Sequence, residues 1–366
     1  MSEISLPAFQ RFPHPSAIAA DQRAVLMEDP GFGRVFSDHM VTIRYSTAQG
    51  WHDARIEARG PIPLDPAASV LHYAQEIFEG MKAYRTDDGR IALFRPEQNA
   101  RRFAASAERL AMPILPEALF LDAIDELVRI DADWIPSGEG SLYLRPFMIA
   151  TEAFLGVRPA SEYLFVVLAS PVGGYFKGGK DSITVRVSEN YTRAARGGTG
   201  AAKCGGNYAA SLPAQAEAVA HGCDQVIFLD AAEGRWIEEL GGMNIFFVFK
   251  DGSLQTPPLG GTILPGVTRA SIIELAKSEG LIVREEPYAL EQWRADVASG
   301  EVVEVFACGT AAVLTAVAAV QTAGGDFTIG DGRPGPRTRA MLAALIGIQR
   351  GRVADTRGWV RTVASA

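Results

Sequence analysis

Lys203 stands in a run of glycines (Gly197, Gly198, Gly200, Gly205 and Gly206) within RGGTGAAKCGGNYAAS. Only six of the 35 Lys and Arg residues are lysines: Lys82, Lys177, Lys180, Lys203, Lys250 and Lys277. An amine that can lose its proton can attack a carbonyl, and a guanidinium cannot. At pH 7 an ordinary lysine lies ~3.4 units below its pKa, roughly 4.6 kcal/mol from the neutral amine. A low-dielectric pocket or a covalent imine offsets that cost. Two phosphate loops fail on specific residues. A Walker A loop needs Gly before the lysine and Ser or Thr after it, where Ala202 and Cys204 stand. A dinucleotide fingerprint needs Gly or Ala at Lys203 itself. On composition alone, a solvated loop lysine is the commoner fate.

Other residues could serve the same chemistry. Glu238 and Glu239 are neighbours in RWIEEL, which reads as a strand, so they point to opposite faces and only one can address a given site. Gly266, Val267 and Thr268 open a helix after ILPG, where free backbone N–H groups and the helix dipole favour an anion. In NARRFAASAERLAM, Phe103, Ala107 and Leu110 share one helical face, with Arg102 beside that stripe.

The segments LHYAQEIFEGMKAYR, IALFRPEQNARRF, SLYLRPF, GGTGAAKCGGNYAAS, IEELGGMNIFFVF, LPGVTR and EVFACGTAA occur in this order. Together they resemble the branched-chain amino-acid aminotransferases, pyridoxal 5'-phosphate (PLP) enzymes of fold type IV, over roughly residues 30 to 355. The resemblance implies a two-domain α+β protein, similar in fold to D-amino-acid aminotransferase, with the cofactor at the domain interface. It implies amino-group exchange between L-leucine, L-isoleucine or L-valine and 2-oxoglutarate by a ping-pong mechanism.

By this resemblance Lys203 matches the Schiff-base lysine and proton shuttle. Tyr208 matches the phenol that meets the cofactor's ring oxygen, and Glu239 the carboxylate against its pyridine nitrogen. Glu238 is left as a solvated charge. Arg102, Val267, Thr268 and Thr310 match the phosphate ligands, with Arg193 a further candidate for that region. Phe32, Tyr73, Phe78, Tyr143 and Tyr175 match positions lining the side-chain pocket. Arg145 and Tyr143 would meet glutamate's second carboxylate. Backbone N–H groups at Thr310, Ala311 and Ala312 would hold the α-carboxylate, and Val157 would approach from the partner in a homodimer. Two positions depart from some relatives. Ala312 and Thr315 replace a CxxC redox pair, and Gly242 replaces a threonine, which widens the expected pocket.

The elements that must position these residues follow from periodicity. Residues 1–35 read as an N-terminal arm, 36–170 as a small α/β domain, 171–182 as an interdomain loop and 183–366 as a large cofactor-binding domain. Ile183, Val185 and Val187 alternate with Thr184, Arg186 and Ser188, the pattern of a half-buried strand. After Lys203 a helix is expected in which Tyr208, Leu212, Ala216 and Val219 fall on one face, then strands QVIFLD, RWIEEL and NIFFVF. A later helix places Ile272, Leu275 and Ala276 inward; the strand EVVEVFA and a last helix near 335–350 complete the order.

Composition excludes several classes. A net charge of −8 without a Lys/Arg cluster argues against a nucleic-acid partner. MSEISLPAFQRFPHPS has neither a basic nor an apolar leader region, and the small-apolar stretch Thr310–Val320 is too short to span a bilayer, so no membrane partner and a cytoplasmic location are expected. Cys204, Cys223 and Cys308 lack metal or redox spacing and the five histidines are scattered, so no metal site is expected. The partners expected are small amino and 2-oxo acids. Competing readings are another fold-type-IV enzyme (D-amino-acid aminotransferase or aminodeoxychorismate lyase), a nicotinamide dehydrogenase and a non-catalytic module.

Overall fold

The computed structural model describes residues 6–173 and 181–364. They form an α+β fold of two compact units. The first gathers residues up to 173 with 202–205 and 348–364; the second holds 181–201 and 206–347. The chain's final stretch thus returns to the first unit, where Val360–Val363 pairs antiparallel with Ile91–Phe94. A division into consecutive segments does not contain that return.

In the first unit the sheet runs, in spatial order, Gln10–Arg11, Gly50–Ala58, His39–Ser46, Glu162–Val172, Ser141–Ala150, Met81–Arg85, Ile91–Phe94 and Val360–Val363. Glu76–Phe78 pairs antiparallel with Ser141–Ala150. The helices Pro96–Arg109 and Glu117–Ile130 pack together and share the sheet's apolar core. Phe103 and Ala107 are buried as their spacing requires, and Phe103, Phe120 and Phe165 form a ring cluster with centroids 5.4–5.9 Å apart. Such tilted aromatic pairs favour one packing over slippage.

In the second unit the order is Ile237–Leu240, Gln225–Leu229, Ser182–Ser188, Val313–Gln321, Val302–Gly309, Asn244–Phe249, Leu254–Thr256 and Val283–Glu285. Ser182–Ser188 runs parallel to both neighbours, with Ile183, Val185 and Val187 buried. Helix Val267–Ser278 buries Ile272, Leu275 and Ala276 as expected. Helix Gly205–Ala220 does not follow its expected face. Leu212 and Val219 are 64% and 60% exposed, whereas Asn207, Ser211, Ala214 and Ala218 are buried. Ala214 and Ala218 lie against Cys223, Val226 and Phe228, a contact that small side chains permit at close approach.

A buried polar pair anchors the start of the His39–Ser46 strand. His39 Nδ1 lies 2.7 Å from Asp131 Oδ1, and the His39 backbone N–H donates to Asp131 Oδ2 at 3.0 Å. The side-chain hydrogen bond to Asp131 raises the imidazole pKa above its usual value, against desolvation. A group whose folded pKa is raised contributes its stabilisation fully below the unfolded value, about 6.5, and loses it as pH rises through the folded value. Asp131→Asn is therefore expected to destabilise the protein by about 1–3 kcal/mol in mild acid and by less near pH 9. Thermal unfolding of both proteins at the two pH values checks this; an equal loss at both would contradict it.

Candidate active site

The Ser141–Ala150 strand builds one wall in the first unit. Its alternation sends Leu142, Leu144 and Met148 into the core and leaves Tyr143, Arg145, Phe147 and Ile149 on the opposite, part-exposed face. The register Phe78↔Phe147 and Glu76↔Ile149 puts Glu76 and Phe78 on that face too. There the Arg145 guanidinium lies 4.9 Å from the Phe78 ring centroid, and Arg145 Nη2 donates to the Tyr143 hydroxyl at 3.2 Å. The Phe32 ring meets Tyr143 edge-on at 5.0 Å. A Cβ at Gly80 would collide with the Tyr143 hydroxyl, so that glycine makes room for the phenol.

Lys203 reaches the same place, its Nζ 4.8 Å from the Phe78 ring centroid. Its backbone is pinned: the Lys203 N–H donates to Ser106 Oγ at 2.9 Å, and the Phe78 N–H donates to the Lys203 carbonyl at 2.9 Å. Flanking Ala202 and Cys204 sit in the core. Burial drives the amine's pKa down to about 8 and Arg102 adds to this, while Glu79 and Tyr143 oppose it. Lys82 is also lowered to about 8 by burial, beside Arg350. A depressed amine alone therefore does not single out Lys203; its aromatic and charged neighbours do.

Behind the lysine is a fully buried ion pair that the sequence reading missed. Arg102 grips Glu79 through two of its three guanidinium nitrogens, Nε–Oε1 at 2.7 Å and Nη2–Oε2 at 2.8 Å. Asn99 Nδ2 donates to Glu79 Oε2 at 2.8 Å. Burial works to raise the Glu79 carboxyl, but Arg102, Lys203 and Asn99 together hold it below the usual range. A bidentate fork fixes the plane of a guanidinium, so Glu79 orients Arg102. The available signal was a lone acid inside the apolar run IFEGM.

The second unit carries a separate polar cluster. Glu239 is 2% exposed. Its Oε1 lies 2.8 Å from Arg193 Nη1 and accepts the Leu264 N–H at 2.8 Å; its Oε2 accepts from Asn244 Nδ2 at 3.0 Å. Arg193, expected in the phosphate region, spends its guanidinium on Glu239 and on the carbonyls of Thr262 and Gly200. Asn244 also donates to the Leu264 carbonyl, and a Cβ at Gly266 would strike its Oδ1. The carboxylate is thereby tied to the segment that enters helix Val267–Ser278, whose first residues are Val267 and Thr268. Glu238 is not the solvated charge expected. It is 7% exposed, and burial raises its carboxyl pKa.

The remaining candidates lie on other elements. Tyr208 lies in helix Gly205–Ala220, half-buried; a Cβ at Gly242 would make an ordinary 3.8 Å contact with its ring. Thr310, Ala311 and Ala312 form the tight connection between Val302–Gly309 and Val313–Gln321, closed by the pairing Gly309↔Val313. Tyr73 donates its hydroxyl to the Leu155 carbonyl at 2.6 Å. Val157 is 89% exposed, and Tyr175 lies outside the described residues. Cys204, Cys223 and Cys308 are buried free thiols. Among the described residues no cluster of three or more His, Cys, Asp or Glu could hold a metal, and no helix is long and apolar enough to cross a membrane.

Comparison with known proteins gives a consistent picture. The family model for amino-transferase class IV matches residues 76–320. The chain is 54% identical to the branched-chain-amino-acid aminotransferase of Mycolicibacterium smegmatis, covering 92% of this chain and 93% of that protein. Among solved structures it resembles the Escherichia coli branched-chain amino acid aminotransferase, with a TM-score of 0.75 at 30% identity over 89% of this chain and 99% of that one. It also resembles the branched-chain amino acid aminotransferase from Thermobaculum terrenum in its PLP-form, with a TM-score of 0.73 at 26% identity, covering 89% of this chain and 98% of that one.

Proposed function

Because this chain belongs to the class IV amino-transferases, we propose that it is a PLP-dependent branched-chain amino-acid aminotransferase, moving the amino group of L-leucine, L-isoleucine or L-valine to 2-oxoglutarate. The observation that carries the site reading is Lys203 Nζ on the Phe78 ring, its pKa lowered to about 8 among Arg102, Glu79, Tyr143 and Arg145.

The residues present fit pyridoxal 5'-phosphate. Each taken by itself, an amine whose pKa is lowered to about 8 suits its aldehyde, a buried anchored carboxylate its pyridine nitrogen, and a helix N-terminus, like the Arg102 guanidinium, a phosphate. When bound, that group supplies an aldehyde that condenses with amines and a ring that accepts the electron pair left at Cα. Lys203 Nζ would hold the cofactor at rest and, once the substrate amine has displaced it, would be free to take the proton from substrate Cα. Glu239, fixed by Arg193, Asn244 and the Leu264 N–H, keeps a negative charge aimed at one place without having to reorganise. By the family resemblance, Arg102, the N–H groups of Val267 and Thr268 and the Thr310 hydroxyl would hold the phosphate, and Tyr208 would meet the ring oxygen.

Phe32, Phe78 and Tyr143 give the side-chain pocket an apolar lining, with Arg145 at hand for the second carboxylate of glutamate. The backbone at Thr310, Ala311 and Ala312 receives the α-carboxylate. Val157, exposed on its loop, is assigned to a partner's pocket in a homodimer. The protein works in the cytoplasm on small amino and 2-oxo acids.

Mixing the PLP-loaded protein with L-leucine, D-alanine and 2-oxoglutarate in separate experiments tests the substrate class. L-Leucine should convert the cofactor to its amine form and release 4-methyl-2-oxopentanoate, after which 2-oxoglutarate restores the starting spectrum. Pyruvate from D-alanine, with no reaction of L-leucine, would reject the reading.

A further inference from the structure

An aminotransferase with these two substrates must accept an uncharged branched side chain and a carboxylate in one pocket. A buried cation alone serves the second well and the first badly, because it stays desolvated and uncompensated when leucine is bound. Arg145 is half-buried and its Nε is buried without a hydrogen-bond partner among the described residues, so an apolar side chain laid over it would make it such a cation. On the same sheet face lies Glu76, set by the register Glu76↔Ile149 two positions from Phe78, whose ring carries Arg145 and Lys203. The Glu76 carboxylate accepts the Gly205 N–H, which fixes it to the segment that holds Lys203. Burial raises its carboxyl pKa above the usual value, while the Gly205 N–H and the Arg145 guanidinium oppose that rise and favour the charged form.

We propose that Glu76 is a specificity-determining residue, a fixed counter-charge to Arg145 that weakens the pocket's hold on a second carboxylate and keeps it open to an uncharged branched side chain. With leucine bound, Glu76 balances the guanidinium. With glutamate bound, the substrate carboxylate takes over that task against the opposition of Glu76. The residue thereby draws the two affinities together, which suits a ping-pong enzyme that must bind each partner in turn. This inference rests on the substrate class proposed above.

Glu76→Gln keeps an oxygen for the Gly205 N–H while removing the charge, and Glu76→Asp keeps the charge. Inhibition constants of glutarate and 4-methylvalerate are measured on each PLP-loaded protein. Their ratio within one protein is unaffected by the fraction that is active. The ratio should move about tenfold toward glutarate in the Gln variant and stay within about twofold of wild type in the Asp variant. A shift below about twofold in the Gln variant overturns the proposal. So does a Gln variant that fails to fold, since the charge would then serve the structure. Wild-type protein that turns over neither L-leucine nor 2-oxoglutarate instead overturns the substrate class; an unmoved ratio in an enzyme that turns over both overturns only the role of Glu76.

Discussion

Replacing Lys203 by alanine should lower transamination between L-leucine and 2-oxoglutarate by at least about 10⁴-fold, the upper range for a positioned proton-transfer group. Two roles are lost together, the amine that holds the cofactor and the base that moves the Cα proton. The surroundings predict a clean loss. The Lys203 N–H bond to Ser106 and the Phe78 N–H bond to the Lys203 carbonyl are backbone bonds on the lysine's side and survive truncation. Removing the amine leaves the Glu79 carboxylate still held by Arg102 and Asn99, so the fold should persist. Lys203→Arg should be as inactive, since a guanidinium keeps its proton. Steady-state turnover beside far-UV circular dichroism of each variant checks this. A folded Lys203→Ala protein with substantial turnover would contradict it.

The second large effect is expected at Glu239. Glu239→Gln should reduce kcat by about 10²–10³-fold, the scale for losing one preorganised electrostatic group in a dry site. It should also cost stability. Arg193 and Glu239 form a buried pair at 2.8 Å with almost no exposed side-chain surface. Neutralising one partner leaves an uncompensated buried charge, worth about 3–5 kcal/mol. The two consequences separate in a double variant. Arg193→Met with Glu239→Gln removes both charges and should recover much of the thermal stability, with kcat still low. Recovery of both stability and turnover would assign Glu239 a purely structural role.

The parts of this picture legible beforehand were those that depend on side-chain periodicity. Ile183, Val185 and Val187 alternate because a sheet buries one face, and Phe103 with Ala107 marks the inner face of its helix. Helix Gly205–Ala220 defeated the same reasoning because hydrophobic size was the wrong guide. Its buried face is built from Ala214, Ala218, Ser211 and Asn207, which let the backbone come close, while Leu212 and Val219 stay exposed.

Charges were harder for a different reason. A buried acid is recognisable only by its partner, and the partner lies elsewhere in the chain. Glu79 is explained by Arg102, 23 residues away, and Glu239 by Arg193, Asn244 and the Leu264 N–H. Motif order pointed to Glu239 and Arg102 and passed over Glu79, because no local spacing announces a pairing between a connecting segment and a helix. Glu238 shows the converse: adjacent acids on opposite faces need not be one buried and one solvated, since both faces of that strand are covered.

The central claim is that one amine in this chain, that of Lys203, carries the cofactor. It is tested most directly by incubating the protein with pyridoxal 5'-phosphate, reducing with borohydride, digesting, and locating the added mass by tandem mass spectrometry. The expected result is a phosphopyridoxyl group on the peptide containing Lys203, in near one-to-one amount, with Lys82 unmodified. Label confined to other lysines, or none after the protein has taken up the cofactor and turned over L-leucine, would contradict it.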